Sequence, residues 1–257
     1  MASVFLLFLV PVLHARIPRD AFSWGVMLLL GILQITLVYG LVFWGEQYIS
    51  SGLTAVLSAT LPFFVMMFAH VLTKTESITR RKMIGILGAF VGVAMIFWRS
   101  LMSGQGASAP SSLLGSLAIL ASGASGGLAV VITKKYSLRI APATNVLVQS
   151  VVGSVTLLFV GVVTERRVAL EFTPTAIAAV LYLGVIASAF AFVVWYWLFT
   201  KTTVTNSSLI LLITPVIALL LGWLILREEL EPIAALGTLL ILSGVYVTVE
   251  RDKGIMS

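Results

Sequence analysis

Residues 43–52 read Phe43-Trp44-Gly45-Glu46-Gln47-Tyr48-Ile49-Ser50-Ser51-Gly52 and lead, through Thr54, to Pro62, then to Thr75-Glu76-Ser77-Ile78-Thr79, and on to Gly85 and Gly92. The same skeleton returns as Tyr196-Trp197, Ser207 to Pro215, Glu228-Glu229-Leu230-Glu231-Pro232, Gly237 and Gly244. From Trp to Pro is 18 residues in both copies, from Glu to Gly 9, and from Gly to Gly 7. One residue slips, between Pro and Glu. Self-similarity at fixed spacing marks an internal duplication, and the fold must be one that two copies of a single unit can build.

The duplicated unit is apolar almost throughout. Of 257 residues, 60% are hydrophobic and only 10% charged, with a mean hydropathy of +1.11. A soluble domain carries roughly 45–50% apolar and about 25% charged residues, so an ordinary globular domain and a disordered chain are both excluded. Charge-free runs cover about 2–13, 23–43, 51–72, 83–98, 113–133, 145–163, 175–199, 207–226 and 233–249. They are too long and too uniformly apolar for barrel strands, which alternate over about 10 residues. The sequence therefore predicts an all-α polytopic membrane protein with about nine transmembrane helices. The first run is short, and Met1-Ala-Ser-Val lacks the basic start of a signal peptide.

Charge then orients the helices. Twelve of the sixteen Lys and Arg fall in alternate connections, including Arg80, Arg81, Lys82, Lys134 and Lys135, while Arg99, Arg166, Arg167 and Arg227 fall in the others. Cytoplasmic loops collect bases, which predicts an external N-terminus and a cytoplasmic C-terminus. An odd number of helices separates the copies, so the Glu76 loop faces inward and the Glu228 loop outward. The duplication is thus an inverted-topology repeat, an architecture of many secondary transporters, whose solute site lies near the midplane. The net charge of +6 orients the chain and does not point to nucleic acid.

These segments resemble the EamA-type repeat of the drug/metabolite transporter superfamily. The resemblance rests on Phe43 through Gly52, the Pro62 run into Thr75–Thr79, Gly85 to Gly92-Val93, and the second copy from Pro215 to Gly244-Val245. It implies two five-helix repeats, residence in the plasma (inner) membrane, and export or exchange of small metabolites, amino acids or drugs by alternating access. On that pattern, residues 1–98 form a first repeat of about four helices, 99–112 an external linker, 113–250 the second repeat and 251–257 a cytoplasmic tail. Nine runs in place of ten imply that the family's first helix is missing ahead of Met1. A chain carrying both halves works as a monomer or homodimer in the lipid bilayer, with a small-molecule substrate as its other partner.

No run carries Asp, Glu, Lys or Arg in its middle third, so either a coupling residue lies in the missing first helix or the solute is neutral or zwitterionic. The neutral polar groups below either line a cavity or join helices to one another. Asn145, Gln149, Gly153 and Thr156 are spaced to share one helical face, as are Ser51, Thr54, Ser58 and Pro62. Gln34 sits mid-span, with Tyr39 nearby. Trp44 and Trp197 are repeat-equivalent and stand at span ends, as an interfacial belt or as gates. The candidate cavity residues are Gln34, Tyr39, Trp44, Ser58, Asn145, Gln149 and Trp197. Pro62 and Pro215 are read as equivalent mid-helix hinges. Gly88-(x)3-Gly92 and Gly123-(x)3-Gly127 are read as close helix contacts. With no Cys and two His, neither cofactor nor metal is expected, and no nucleophile–base pair at membrane depth points to an enzyme. The competing expectation is a truncated membrane protein that does not transport.

Overall fold

The computed structural model describes residues 17–73, 78–98, 102, 110–136, 140–164, 173–199, 201, 206, 209–226 and 232–248. The first apolar run, the Glu76 and Glu228 loops, Arg99, Arg166, Arg167 and the tail lie outside the described residues. All regular structure among those described is helical. Helix α1 is Ala21–Gly45, α2 Ser51–Ser58, α3 Leu61–Leu72, α4 Arg80–Ile96, α5 Pro110–Tyr136, α6 Pro142–Thr164, α7 residues 174–199, α8 Ile210–Leu226 and α9 Pro232–Thr248. With α2 and α3 forming the two halves of one apolar stretch, these are the eight later runs of the sequence.

Local chemistry sets the helix ends. Asp20 begins α1 by accepting the Ser23 N–H at 2.7 Å, and Ser50 and Thr79 cap α2 and α4 through the Leu53 and Lys82 N–H groups. Lys82, counted among the loop bases above, is a buried residue in the first turn of α4. Pro62 does more than kink its helix. The regular hydrogen-bond ladder is interrupted at Ala59 and Thr60, which keep right-handed helical dihedrals, and Pro62 lies in the first turn of α3. Its ring would clash with the Ser58 carbonyl and it offers no N–H, so a first turn is where it fits. The Thr60 hydroxyl donates to the Leu57 carbonyl at 2.6 Å across the break. Pro215, by contrast, lies inside an unbroken α8, so the two prolines are equivalent in sequence and different in local structure.

The residues pack into two compact units, each drawing helices from both copies. One contains the chain up to Gly40 together with 132–202; the other contains 41–131 together with the chain from 203 onward. In the second unit α4 and α9 lie backbone against backbone. A Cβ built on Gly85 would stand 2.5 Å from the Gly244 carbonyl oxygen, and one on Gly92 would stand 2.5 Å from that of Gly237. Gly237 and Gly244 meet the carbonyls of Gly92 and Gly85 in return. The contact is antiparallel, and it is reciprocal because Gly85 and Gly237 are repeat-equivalent, as are Gly92 and Gly244. The same pairing brings the Arg81 Nε within 2.7 Å of the Val247 carbonyl, a cation at the carbonyl-rich end of α9. Around it, Val56, Met66, Ile86, Ala89, Val93, Leu212, Val216 and Ile241 form the buried core.

In this unit α5 packs its own small residues. Gly123 and Gly127 lie against Phe64 of α3, and Gly115 lies against Gly45 of α1. The expected Gly123-(x)3-Gly127 contact is therefore present. The Gly88-(x)3-Gly92 expectation needs correction: a Cβ on Gly88 would meet nothing within 4 Å, because Gly88 points away from α9 and Gly85 shares the contact face with Gly92. Outward faces carry large apolar groups such as Phe159, Val162, Leu224 and Leu239, as lipid contact requires.

Gly92→Ala should lower the stability of the solubilised protein by about 1–3 kcal/mol, since no flexible side chain can yield to the added methyl. Gly88→Ala should shift it by less than about 0.5 kcal/mol. Thermal or denaturant titration in detergent measures both, and equal effects would refute the assignment of the contact face.

Candidate functional site

Five of the seven cavity candidates, Gln34, Tyr39, Asn145, Gln149 and Trp197, belong to the unit built on the N-terminal part of α1, α6 and α7. There the 4-4-3 spacing of Asn145, Gln149, Gly153 and Thr156 gives one face of α6, and that face is turned inward. Asn145 and Gln149 are 4% and 1% exposed. Its partner is the middle of α1, where Gly31–Leu37 winds as a π-helix.

The two elements interlock through absent and small side chains. A Cβ on Gly31 would lie 2.7 Å from the Val152 Cβ and 3.3 Å from the Gln149 Cα, and one on Gly153 would collide with Ile35. Farther along, the hydroxyls of Thr36 and Thr156 are directly hydrogen-bonded. Thr156 also donates toward the Val152 carbonyl at 2.8 Å. The C-terminal half of the stripe, Gly153 and Thr156, thus joins α6 to α1. The N-terminal half, Asn145 and Gln149, is buried polar surface.

The N-terminal half carries an unmet hydrogen-bonding demand. Among the described residues the buried Oδ1 of Asn145 has no hydrogen-bond partner, and neither has the buried Oγ1 of Thr133 near the end of α5. An unpaired acceptor shut away from water costs about 1–3 kcal/mol, so a solute donor such as an amino or hydroxyl group suits Asn145. Thr133 was not among the sequence candidates; a single Thr in an apolar helix carries no periodic signal.

Gln34 and Tyr39 are half-buried on α1, at and just beyond its π segment. Trp197, near the end of α7, is exposed. Trp44 and Ser58 belong to the other unit. Trp44 is exposed and meets Tyr48 edge-on, with ring centroids 5.0 Å apart. Ser58 is exposed at the last turn of α2, whereas Thr54 and Pro62 are buried, so that stripe does not present one common surface. No group of three or more metal-ligating side chains occurs among the described residues.

Helices of this length and hydropathy, duplicated with inverted direction and joined by reciprocal glycine contacts, define a polytopic α-helical membrane protein of the inverted-repeat class. Residues 1–98 and 113–250 match the EamA-like transporter family. The chain belongs to that family, and it is a membrane transporter of the drug/metabolite transporter superfamily, not an enzyme. It is 30% identical over 217 residues to the uncharacterized transporter YoaV of Bacillus subtilis, covering 83% of this chain and 73% of that protein. It is 28% identical over 224 residues to an uncharacterized transporter of Archaeoglobus fulgidus (86% and 76%), and 25% identical over 239 residues to Protein PecM of Dickeya dadantii (92% and 77%). A crystal structure superimposes with a TM-score of 0.81 over 96% of this chain and 82% of its own, at 15% identity. That likeness establishes the fold.

Asn145→Leu removes the unpaired oxygen at nearly constant volume and should raise stability by about 1 kcal/mol. The readout is the melting midpoint in detergent. A fall of the size expected for Gly92→Ala would mean that Asn145 holds the helices together.

Proposed function

We propose that the chain is a secondary active transporter, an exporter or exchanger, that moves small organic metabolites such as amino acids or drug-like solutes across the plasma (inner) membrane by alternating access. The observation that carries this reading is the inverted repeat, whose reciprocal contact Gly85–Gly244 and Gly92–Gly237 supplies the two-fold relation that alternating access exploits. Residues 1–98 and 113–250 act as the two repeats, with the C-terminus in the cytoplasm. The absence of an ionisable residue from the middle of every apolar run favours neutral or zwitterionic solutes, because a fixed buried charge is retained for charged cargo or proton coupling.

In this reading Asn145, Gln149 and Gln34 offer hydrogen bonds to the solute. Tyr39 and Trp197 close around it within that same unit; Trp44 as a gate and Ser58 as a hydroxyl are candidates of the other unit taken by itself, and Pro62 and Pro215 permit helix bending. The test is counterflow in proteoliposomes against a panel of radiolabelled amino acids and cationic, neutral and zwitterionic drugs. A neutral or zwitterionic solute should be moved, and Gln149→Ala should weaken its apparent affinity about tenfold, the value of a buried hydrogen bond. Trp44→Ala should slow flux while Trp44→Phe retains it. Flux confined to cations, or none across the panel, would refute the reading.

A further inference from the structure

Helices α1 and α7 carry the equivalent tryptophans, and both contain a π-helical segment, Gly31–Leu37 and Leu183–Phe190. The offset of 153 residues that carries Trp44 onto Trp197 also carries Gly31 onto Gly184 and Leu37 onto Phe190. The segments coincide to within one residue. π turns make up well under 1% of residues and cluster at functional positions. Side-chain similarity does not explain this pair, since Gly-Ile-Leu-Gln-Ile-Thr-Leu and Leu-Gly-Val-Ile-Ala-Ser-Ala-Phe share little beyond the glycine.

A π turn breaks the regular ladder of carbonyl-to-N–H bonds and is one of the few recognised places where a helix bends. Neither segment contains proline, so in each helix the π turn is the departure from the regular ladder that offers a place to bend. In α1 it lies just before Gly40, where the chain passes from one compact unit to the other. The first segment also has a polar tie. The Thr36 hydroxyl bonds to that of Thr156 on α6 and lies 3.4 Å from the Gly31 carbonyl at the start of the π turn. The repeat-equivalent of Thr36 is Ala189, which has no hydroxyl.

We propose that the two π turns are the paired bending joints through which the chain changes conformation, and that the Thr36–Thr156 hydroxyl contact is the latch that sets the balance at the first joint. The proposal rests on the reading that the protein alternates between conformations, but it is tested without a transported solute. The chain contains no cysteine, so spin labels can be placed cleanly. Phe22→Cys and Phe43→Cys, both exposed, flank the first joint about 31 Å apart along the helix; Ile177→Cys and Val194→Cys, also exposed, flank the second.

Electron–electron distance measurement on the full chain in lipid nanodiscs should give two populations for each pair. Thr36→Val and Thr156→Val should each change the ratio at the first joint about threefold, the average bias of one interhelical hydrogen bond in a membrane. The double variant should change it no further, and Thr36→Ser should keep the original ratio. A single distance across either π turn, or a ratio indifferent to Thr36→Val, overturns the proposal. Responsive distances in a protein that moves no solute would retain the joints and reject transport, whereas flux with one rigid distance would reject the joints alone.

Discussion

The structure depends on the approach of two backbones. In lipid, helices gain nothing from hiding apolar surface from one another, so association relies on close packing and on polar groups that find partners. Gly85, Gly92, Gly237 and Gly244 let α4 and α9 come so close that carbonyl oxygens occupy the space of side chains. Once that crossing is set, register follows. Arg81 is delivered to the last carbonyls of α9, Ile241 is seated against Gly92, and Val93, Val216 and Met66 close around them. A shift of one residue along either helix would place a side chain where no volume exists.

The other unit joins its helices differently. Here α6 meets a helix whose middle is wound more loosely than an α-helix, and contact combines glycines with one hydroxyl pair. Gly31 and Gly153 admit the bulk of Val152 and Ile35, and Thr36 with Thr156 supplies direction. One face of α6 thus carries both the joining residues Gly153 and Thr156 and the buried polar pair Asn145 and Gln149.

Much of this was legible in the residues, for physical reasons. Long charge-free runs have no other stable form in lipid, and glycines held at one spacing in two copies marked the duplication, while the contact that Gly85, Gly237 and Gly244 make became legible only in the packed helices. The spacing of Asn145, Gln149, Gly153 and Thr156 gave a true face, but periodicity could not say that Gly153 and Thr156 would be consumed by Ile35 and Thr36. The π turns were not legible at all: Gly31–Leu37 is an apolar stretch without proline, and an altered hydrogen-bond register leaves no compositional mark. The sequence presents Pro62 as the equal of Pro215, because a missing N–H alone does not tell whether the turn before it at Ala59 and Thr60 also leaves the regular ladder. Gly88 misled because a small-residue spacing names a helix and not the side of it that has a neighbour.

The reciprocity of the glycine crossing has a historical meaning. Gly85 touches Gly244 and Gly92 touches Gly237, and exchanging the copies turns each pair into the other. Such a surface is isologous, the kind by which identical subunits recognise themselves. A polypeptide carrying only one copy would possess both halves of the contact and could use them with a second molecule inserted the opposite way up. Gene fusion then fixes in one chain the opposed orientations that separate molecules would have to reach by chance at insertion, and the two surfaces become free to diverge.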